Sequence, residues 1–361
     1  MRLVRILLVA AVLASGVASL HAWYTKGHRR ASDLALRSLP KDMPEFFRNG
    51  VELLNGVVHD PDLFTRPVAP PQLHDVEALN HYFDMEPLAD EKLPLTRYEF
   101  LEIVYRKKLQ PAKVGLLPYA VVECTQRLSV TFAEHREHPD DKVIQTKCLV
   151  YAAQLAHYAQ DLCQPLHTTI DHDGRARPDG SSPHSGIHAK IDRMIGQLAE
   201  SQLPLPAAIK PHALTTPPRE PRTGVSGLSG EPRTGVSGLS GEPRTGVSGS
   251  SSGEPRTEVS GSSHPKSKED FQAHRKIETA RAQELMDAVM AELHRSHDLV
   301  DRVYAMEKDL PADWKDPLPP NVEAFARDRL GHAAQFTASL FLTAWQDSRF
   351  IEFPEWYRGG E

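Results

Sequence analysis

Residues 157–167 read HYAQDLCQPLH, and three of these side chains can bind a metal ion. His157 and Asp161 stand four apart. Along a helix that step turns the chain by about 400°, so imidazole and carboxylate share one face within reach of one ion. His167 comes ten residues after His157. A continuous helix would carry it about 80° away from that face, and Pro165 tends to end the helix before His167 is reached. His167 is then thrown off the helix end at a new angle, and the simplest use of that geometry is two neighbouring ions. HSGIHAKIDRM (184–194) repeats the spacing with His188 and Asp192 at what reads as the start of another helix. Imidazole with carboxylate suits zinc or a similar ion. A lone H-x-x-x-D pair is usually an exposed helix pair of small worth. Two such pairs plus a third histidine in one short region are harder to dismiss.

More donors lie upstream. ALNHYFDME (78–86) offers His81 and Asp84, NGVVHDPDLF (55–64) offers Asp62 with Asp60 and His59 as rivals, and WYTKGH (23–28) offers His28. His184 is a rival to His188, although only His188 has a carboxylate four residues on. Each has a bland alternative as a surface or capping residue; Asp62 after Pro61 could simply open a turn.

These donors need helices to position them, and apolar residues at three- and four-residue steps supply them. The pattern runs through residues 95–109, 113–135, 141–162, 278–306 and 322–345, while strand-type alternation is nearly absent. The expected class is an all-α, multi-helix bundle. Residues 1–22 carry Arg2 and Arg5 before a short apolar run ending in small residues, the layout of a cleavable signal peptide rather than a membrane span. The mature chain is therefore expected to be secreted or periplasmic, with no transmembrane segment.

Between Pro217 and Lys266 the unit GEPRTGVSGLS recurs every 11 residues, rich in Pro, Gly and Ser. No copy holds enough apolar surface to bury a face, so 217–266 reads as a disordered insert. One helical catalytic domain, 23–216 with 267–350, surrounds it, and 351–361 form a tail. Cys124, Cys148 and Cys163 show no disulfide framework and read as small buried hydrophobes. The formal net charge of −6 argues against a protein that coats duplex nucleic acid.

In order, W-x-x-x-x-H at the expected mature N-terminus, P-D-L, H-Y-x-D, H-x-x-x-D-x-x-Q-P-L-H and H-x-x-x-D resemble the superfamily of zinc-dependent phospholipases C and single-strand-specific zinc nucleases. The resemblance spans residues 23–200 by motif, and HYAQDLCQPLH is its most specific piece. It implies three zinc ions in a cleft of an all-helical protein. Asp62, His81, His157 and Asp161 would hold one; His167, His188 and Asp192 a second. Asp161 would bridge to a third, held also by His28 and by the free amine and carbonyl of Trp23, a terminus only after export. Asp84 and Asp161 would be catalytic, with Asp84 contacting the attacking water.

The implied activity is hydrolysis of a phosphodiester. The five-residue step from Trp23 to His28, the wording QPLH and the 21-residue gap from His167 to His188 favour the nuclease branch. Tyr24, Tyr82, Phe83 and Tyr158 sit beside ligands and could stack an unpaired base, though such aromatics are more often core. Phospholipase C action on phospholipid head groups is the alternative. Another class is an exported binding protein held by structural zinc without turnover. Five histidines and three aspartates spread from His28 to Asp192 are many for structural zinc, which uses four ligands close in sequence. No stable protein partner is inferred.

Overall fold

The structure is a computed structural model that describes residues 24–67, 69–88, 91–217, 268–313, 315–354 and 357. The expected signal peptide, Trp23, positions 218–266 of the repeat insert and the end of the tail lie outside the described residues. Among the described residues there are twelve α-helices and no β-strand, the all-α class that the apolar spacing implies. The first six are α1 (Tyr24–Ser38), α2 (Glu45–Arg48), α3 (Val51–Val57), α4 (Asp60–Phe64), α5 (Pro71–Ala78) and α6 (Arg97–Arg106). The rest are α7 (Leu117–Glu137), α8 (Lys142–Leu162), α9 (Ile187–Gln197), α10 (Lys268–His297), α11 (Val300–Ala305) and α12 (Pro320–Asp347). None is long and apolar enough to cross a membrane.

Helix α8 is the axis of the site. Asp141 caps it by accepting from the backbone N–H groups of Val143 at 2.7 Å and Ile144 at 3.3 Å, a cap worth about 1 kcal/mol. Its second half is buried on every side: Ala152, Ala153, Ala156 and Ala159 are wholly inaccessible and let neighbouring backbones come close. Helices α1, α3, α7 and α12 all pack against it. Phe47 of α2 meets Phe132 of α7 and Phe341 of α12 edge-on, with ring centroids 4.9 and 5.3 Å away. Truncating such a buried ring costs about 3–5 kcal/mol.

The helix stops where Pro165 requires it: α8 ends at Leu162, and Pro165–His167 form a separate 3-10 turn. The apolar run over 278–306 is broken differently. Ser296, His297 and Asp298 are weak helix formers, and the chain turns there between α10 and α11. Helix α1, which periodicity does not single out, carries His28.

Residues 82–84 are extended and stitched on both sides. The backbone N–H of Phe83 donates to the His167 carbonyl at 2.8 Å, that of Asp84 to Val114 at 2.7 Å, and that of Leu117 to Tyr82 at 3.2 Å. The close approach requires Gly115, which has φ +82°, and a Cβ there would stand 2.0 Å from the Tyr82 carbonyl oxygen. Cys124, Cys148 and Cys163 are buried and unbridged. By internal packing the chain divides into Met1–Pro217 with Lys276–Glu361, and Pro218–Arg275. All candidate site residues belong to the first unit.

Candidate metal centre

Eight donor side chains converge from six places in the chain: His28 on α1, Asp62 on α4, His81 at the end of a 3-10 turn, His157 and Asp161 on α8, His167 after Pro165, and His188 and Asp192 on α9. All eight are buried. They form three groups that could hold a metal ion: His28 with Asp62 and His157, His81 with His157 and Asp161, and His167 with His188 and Asp192. Asp161 turns its two oxygens apart. Oδ1 is 3.5 Å from His28 Nε2, whereas Oδ2 is 3.1 Å from His81 Nδ1 and 3.4 Å from His157 Nε2. His157 Nε2 lies 4.0 Å from Asp62 Oδ1, and His188 Nε2 lies 3.2 Å from Asp192 Oδ2.

The hydrogen bonds show what these groups are prepared for. His28 Nδ1 donates to Gln160 Oε1 at 2.7 Å, and the Gln160 amide is fixed in turn by donating to Ser32 Oγ at 3.0 Å. His157 Nδ1 donates to the Val58 carbonyl at 2.8 Å, His188 Nδ1 to the His172 carbonyl at 3.1 Å, and His167 Nδ1 to the His81 carbonyl. Carbonyl oxygens only accept, so each of these rings carries a proton on Nδ1 and turns Nε2 towards the other donors. Gln164 donates to Asp192 Oδ1 at 2.8 Å and so orients that carboxylate. Such outer partners are what a ligating histidine or carboxylate needs. Seven side-chain atoms of the cluster are buried without a hydrogen bond: His28, His81, His167 and His188 Nε2, Asp62 and Asp161 Oδ1, and Asp192 Oδ2. Buried polar atoms are normally hydrogen-bonded. Four of the seven face each other as His188 with Asp192 at 3.2 Å and His28 with Asp161 at 3.5 Å, and such nitrogen–oxygen sets suit a cation.

Protonation follows the same geometry. Burial, aided by the charge of His157, lowers His28 to about 4, and burial lowers His167 to about 3. Burial also opposes charge on His157, but Asp161 and Asp62 overcome it and raise this histidine to about 9. Burial would raise Asp161, yet His157 and His167 hold it well below the usual carboxylate range. Protonated His157 thus gives Asp161 a positive partner within the protein.

His81, His167 and His188 of these groups open onto a cavity of about 690 Å³ lined also by Asp84 and Tyr82 and by Leu109, Ala112, Leu166 and Ile170. Burial raises Asp84 to about 8, with Glu86 adding and Lys113 opposing. Of the rival donors, His59 and Asp60 join none of the three groups, and His184 lies on the cavity wall outside them. Phe83 and Tyr158 are buried, so neither offers a face to a base; Tyr158 Oη donates to Glu77. Tyr82 lines the cavity, while Trp23 lies outside the described residues. Spacing alone misses the outer partners Gln160 and Ser32, the cavity residue His172 and, behind His184, Asp173, because their roles depend on contacts distant in sequence.

No family model matches the sequence. No curated protein matches it either. A crystal structure of alpha-toxin from an avian strain of Clostridium perfringens aligns with 92% of this chain and 64% of its own chain, at 12% identity and a TM-score of 0.37. The chain therefore spans under two thirds of that toxin chain's length, and a likeness this weak transfers no chemistry.

Proposed function

We propose that the chain is an exported zinc-dependent phosphodiesterase. The observation that carries this reading is the set of buried nitrogen and oxygen atoms without hydrogen bonds, three of whose residues, His81, His167 and His188, line one cavity. Asp62, His81, His157 and Asp161 would hold one zinc, His167, His188 and Asp192 a second, and Asp161 with His28 and the terminus of Trp23 a third. Zinc in such a setting lowers the pKa of bound water towards neutrality and draws charge from phosphoryl oxygens. Three divalent ions against Asp62, Asp161 and Asp192 leave about three positive charges, which attracts a phosphate anion.

The chain's own residues do the rest. Gln160, Gln164 and the carbonyls of Val58, His81 and His172 hold the ligands in one tautomer and orientation. Asp84 stands on the cavity wall to accept a proton from the attacking water. Nearby cations favour its charged form and oppose the rise that burial causes.

Two substrate classes share this chemistry. Single-stranded nucleic acid is the first, and among the described cavity residues Tyr82 is the side chain that could stack a base. Phospholipid head groups are the second, favoured by the apolar wall of Leu109, Ala112, Leu166 and Ile170.

The decisive experiment measures zinc per chain and hydrolysis of bis-p-nitrophenyl phosphate by processed protein before and after chelation. About three zinc per chain are expected, with activity that chelation abolishes and zinc restores. Asp84→Asn should cut turnover without changing metal content. Zinc-loaded protein that hydrolyses no diester would favour the non-catalytic binding protein instead. Turnover of single-stranded DNA, RNA and phosphatidylcholine side by side separates the two substrate classes.

A further inference from the structure

A smaller constellation lies on the wall of the same cavity and contributes nothing to the three donor groups. The loop between Thr168 and Gly186 carries Asp173 and His184, with Oδ2 of one 3.7 Å from Nδ1 of the other. The carboxylate is built in. Its side chain is 9% exposed, and Oδ1 accepts from the backbone N–H groups of Gly186 at 2.7 Å and His188 at 3.4 Å. The imidazole is the reverse, with its side chain 71% exposed and lining the cavity together with His188, His167 and Asp84.

The backbone under His184 is held in an unfavourable conformation. Its φ of +55° is left-handed, which costs an L-residue about 1–2 kcal/mol. Three hydrogen bonds keep it there: His184 N–H donates to Ser182 Oγ at 3.1 Å, Ser182 Oγ donates to the Asp173 carbonyl at 3.0 Å, and Ser185 N–H donates to that carbonyl at 2.9 Å. Tyr304 of α11 pins the root of the loop, accepting from Gly174 N–H at 3.0 Å and donating to the Asp171 carbonyl. A strained backbone that aims a solvent-facing imidazole into a cavity, with a buried carboxylate behind it, points to a use for that ring.

We propose that His184, positioned by Asp173, is the general acid that protonates the leaving oxygen of the diester. The inference rests on the phosphodiesterase reading above and adds to it the source of the second proton. As the oxygen of water forms the new bond to phosphorus, the bond to the departing oxygen breaks and leaves its electron pair there. His184 Nε2–H gives its proton to that oxygen, so an alcohol departs rather than an alkoxide. The neutral ring regains a proton from solvent, and the other product is a phosphate monoester. Asp173 Oδ2 faces Nδ1 from 3.7 Å and orients the ring, the service a carboxylate gives a catalytic imidazole.

The other charged or titratable side chains lining the cavity are His81, His167, His172, His188, Tyr82, Asp84, Asp179 and Lys113. Burial, with His188 adding, pushes His172 below the ordinary histidine range, so it stays neutral and is no competing acid. Asp84 is the competing acid, and the experiment separates the two.

The test compares processed, zinc-loaded wild type with His184→Gln and Asp173→Asn on two diesters. Bis-p-nitrophenyl phosphate releases a stable phenolate that needs no acid, whereas dithymidine monophosphate or dihexanoyl phosphatidylcholine must release an alkoxide. His184→Gln should lose about 10²–10⁴-fold on the alkoxide substrate and less than about threefold on the aryl one, with unchanged zinc content. Asp173→Asn keeps the oxygen that accepts from Gly186 and His188 and should show a smaller loss of the same pattern. Equal losses on both substrates, zinc loss in His184→Gln, or leaving-group sensitivity that follows Asp84→Asn instead would each overturn the proposal. A wild type that turns over neither diester removes the phosphodiesterase reading and the proposal with it.

Discussion

Stripping the metal should expose how poorly this site is satisfied by protein alone. Seven buried donor atoms make no hydrogen bond, and four of them face each other in two pairs, His188 Nε2 with Asp192 Oδ2 and His28 Nε2 with Asp161 Oδ1. A buried polar atom left unpaired costs about 1–3 kcal/mol, so the other three cost roughly 3–9 kcal/mol, a large share of the about 5–15 kcal/mol of net stability that a folded domain has. Protonation of His157 recovers part of it by pairing with Asp161. A remaining loss of about 5 kcal/mol would still lower the melting temperature by at least 10 °C. The metal-free protein should also be acid-sensitive. Burial lowers His28 to about 4 and His167 to about 3, whereas both sit near 6.5 in the unfolded chain. The unfolded state therefore binds more protons below about pH 6.5, and stability falls from there down through the folded values, by about 3–5 kcal/mol per histidine. His157, raised to about 9, has the opposite sign: its contribution is complete below about 6.5 and is lost as pH rises through 9. Calorimetric melts of loaded and chelated protein across pH 4–9, each with metal analysis, measure this directly. A verified metal-free protein that melts within about 2 °C of the loaded form would show that the orphaned atoms are not awaiting cations.

Asp161→Asn should be the most damaging ligand change, because its two oxygens face His28 on one side and His81 and His157 on the other; metal analysis should show more than one ion lost, where Asp192→Asn loses one. Gln160→Leu removes the acceptor of His28 Nδ1 and should weaken zinc binding at that group by about 10–100-fold, with competitive chelator titration showing the His188 group unchanged. Deleting residues 220–262 should leave melting and hydrolysis unaltered. The chain before the insert is anchored independently: Thr215 donates to Asp347 at 2.7 Å and Thr216 N–H to Glu284 at 2.6 Å. A collapse in expression or melting temperature would mean that the repeats are part of the fold.

The helix-borne half of this site is legible in the sequence because helical geometry is local. His157 and Asp161 share a face through a fixed four-residue turn, and Pro165 redirects the chain to His167 by a steric rule that operates within a few residues. His188 and Asp192 follow the same rule on α9. What brings His28, Asp62 and His81 to them is tertiary packing of α1, α4 and the 79–81 turn around α8, which no spacing encodes. The tautomers are further still from the sequence, since they depend on carbonyls of Val58, His81 and His172 that every residue type supplies alike. The aromatic argument fails for a related reason: Phe83 and Tyr158 stand beside ligands in sequence but point into the core, so adjacency along the chain did not mean adjacency to the cavity.

The division of parts between helix and loop has a physical logic of its own. Metal ligands must be held to within about 0.5 Å, and all eight donors sit on helices or on 3-10 turns. A proton donor has a different requirement. It must meet a leaving group that moves as its bond breaks, so it belongs on a loop with its base fixed and its tip in solvent. Asp173, tied to the first turn of α9 through Gly186 and His188, couples that loop to the same helix that carries two ligands. If that coupling matters, lengthening the loop by one glycine after Ser182 should leave zinc binding intact while selectively slowing release of alkoxide; loss of zinc together with activity would instead make the loop a structural support for α9.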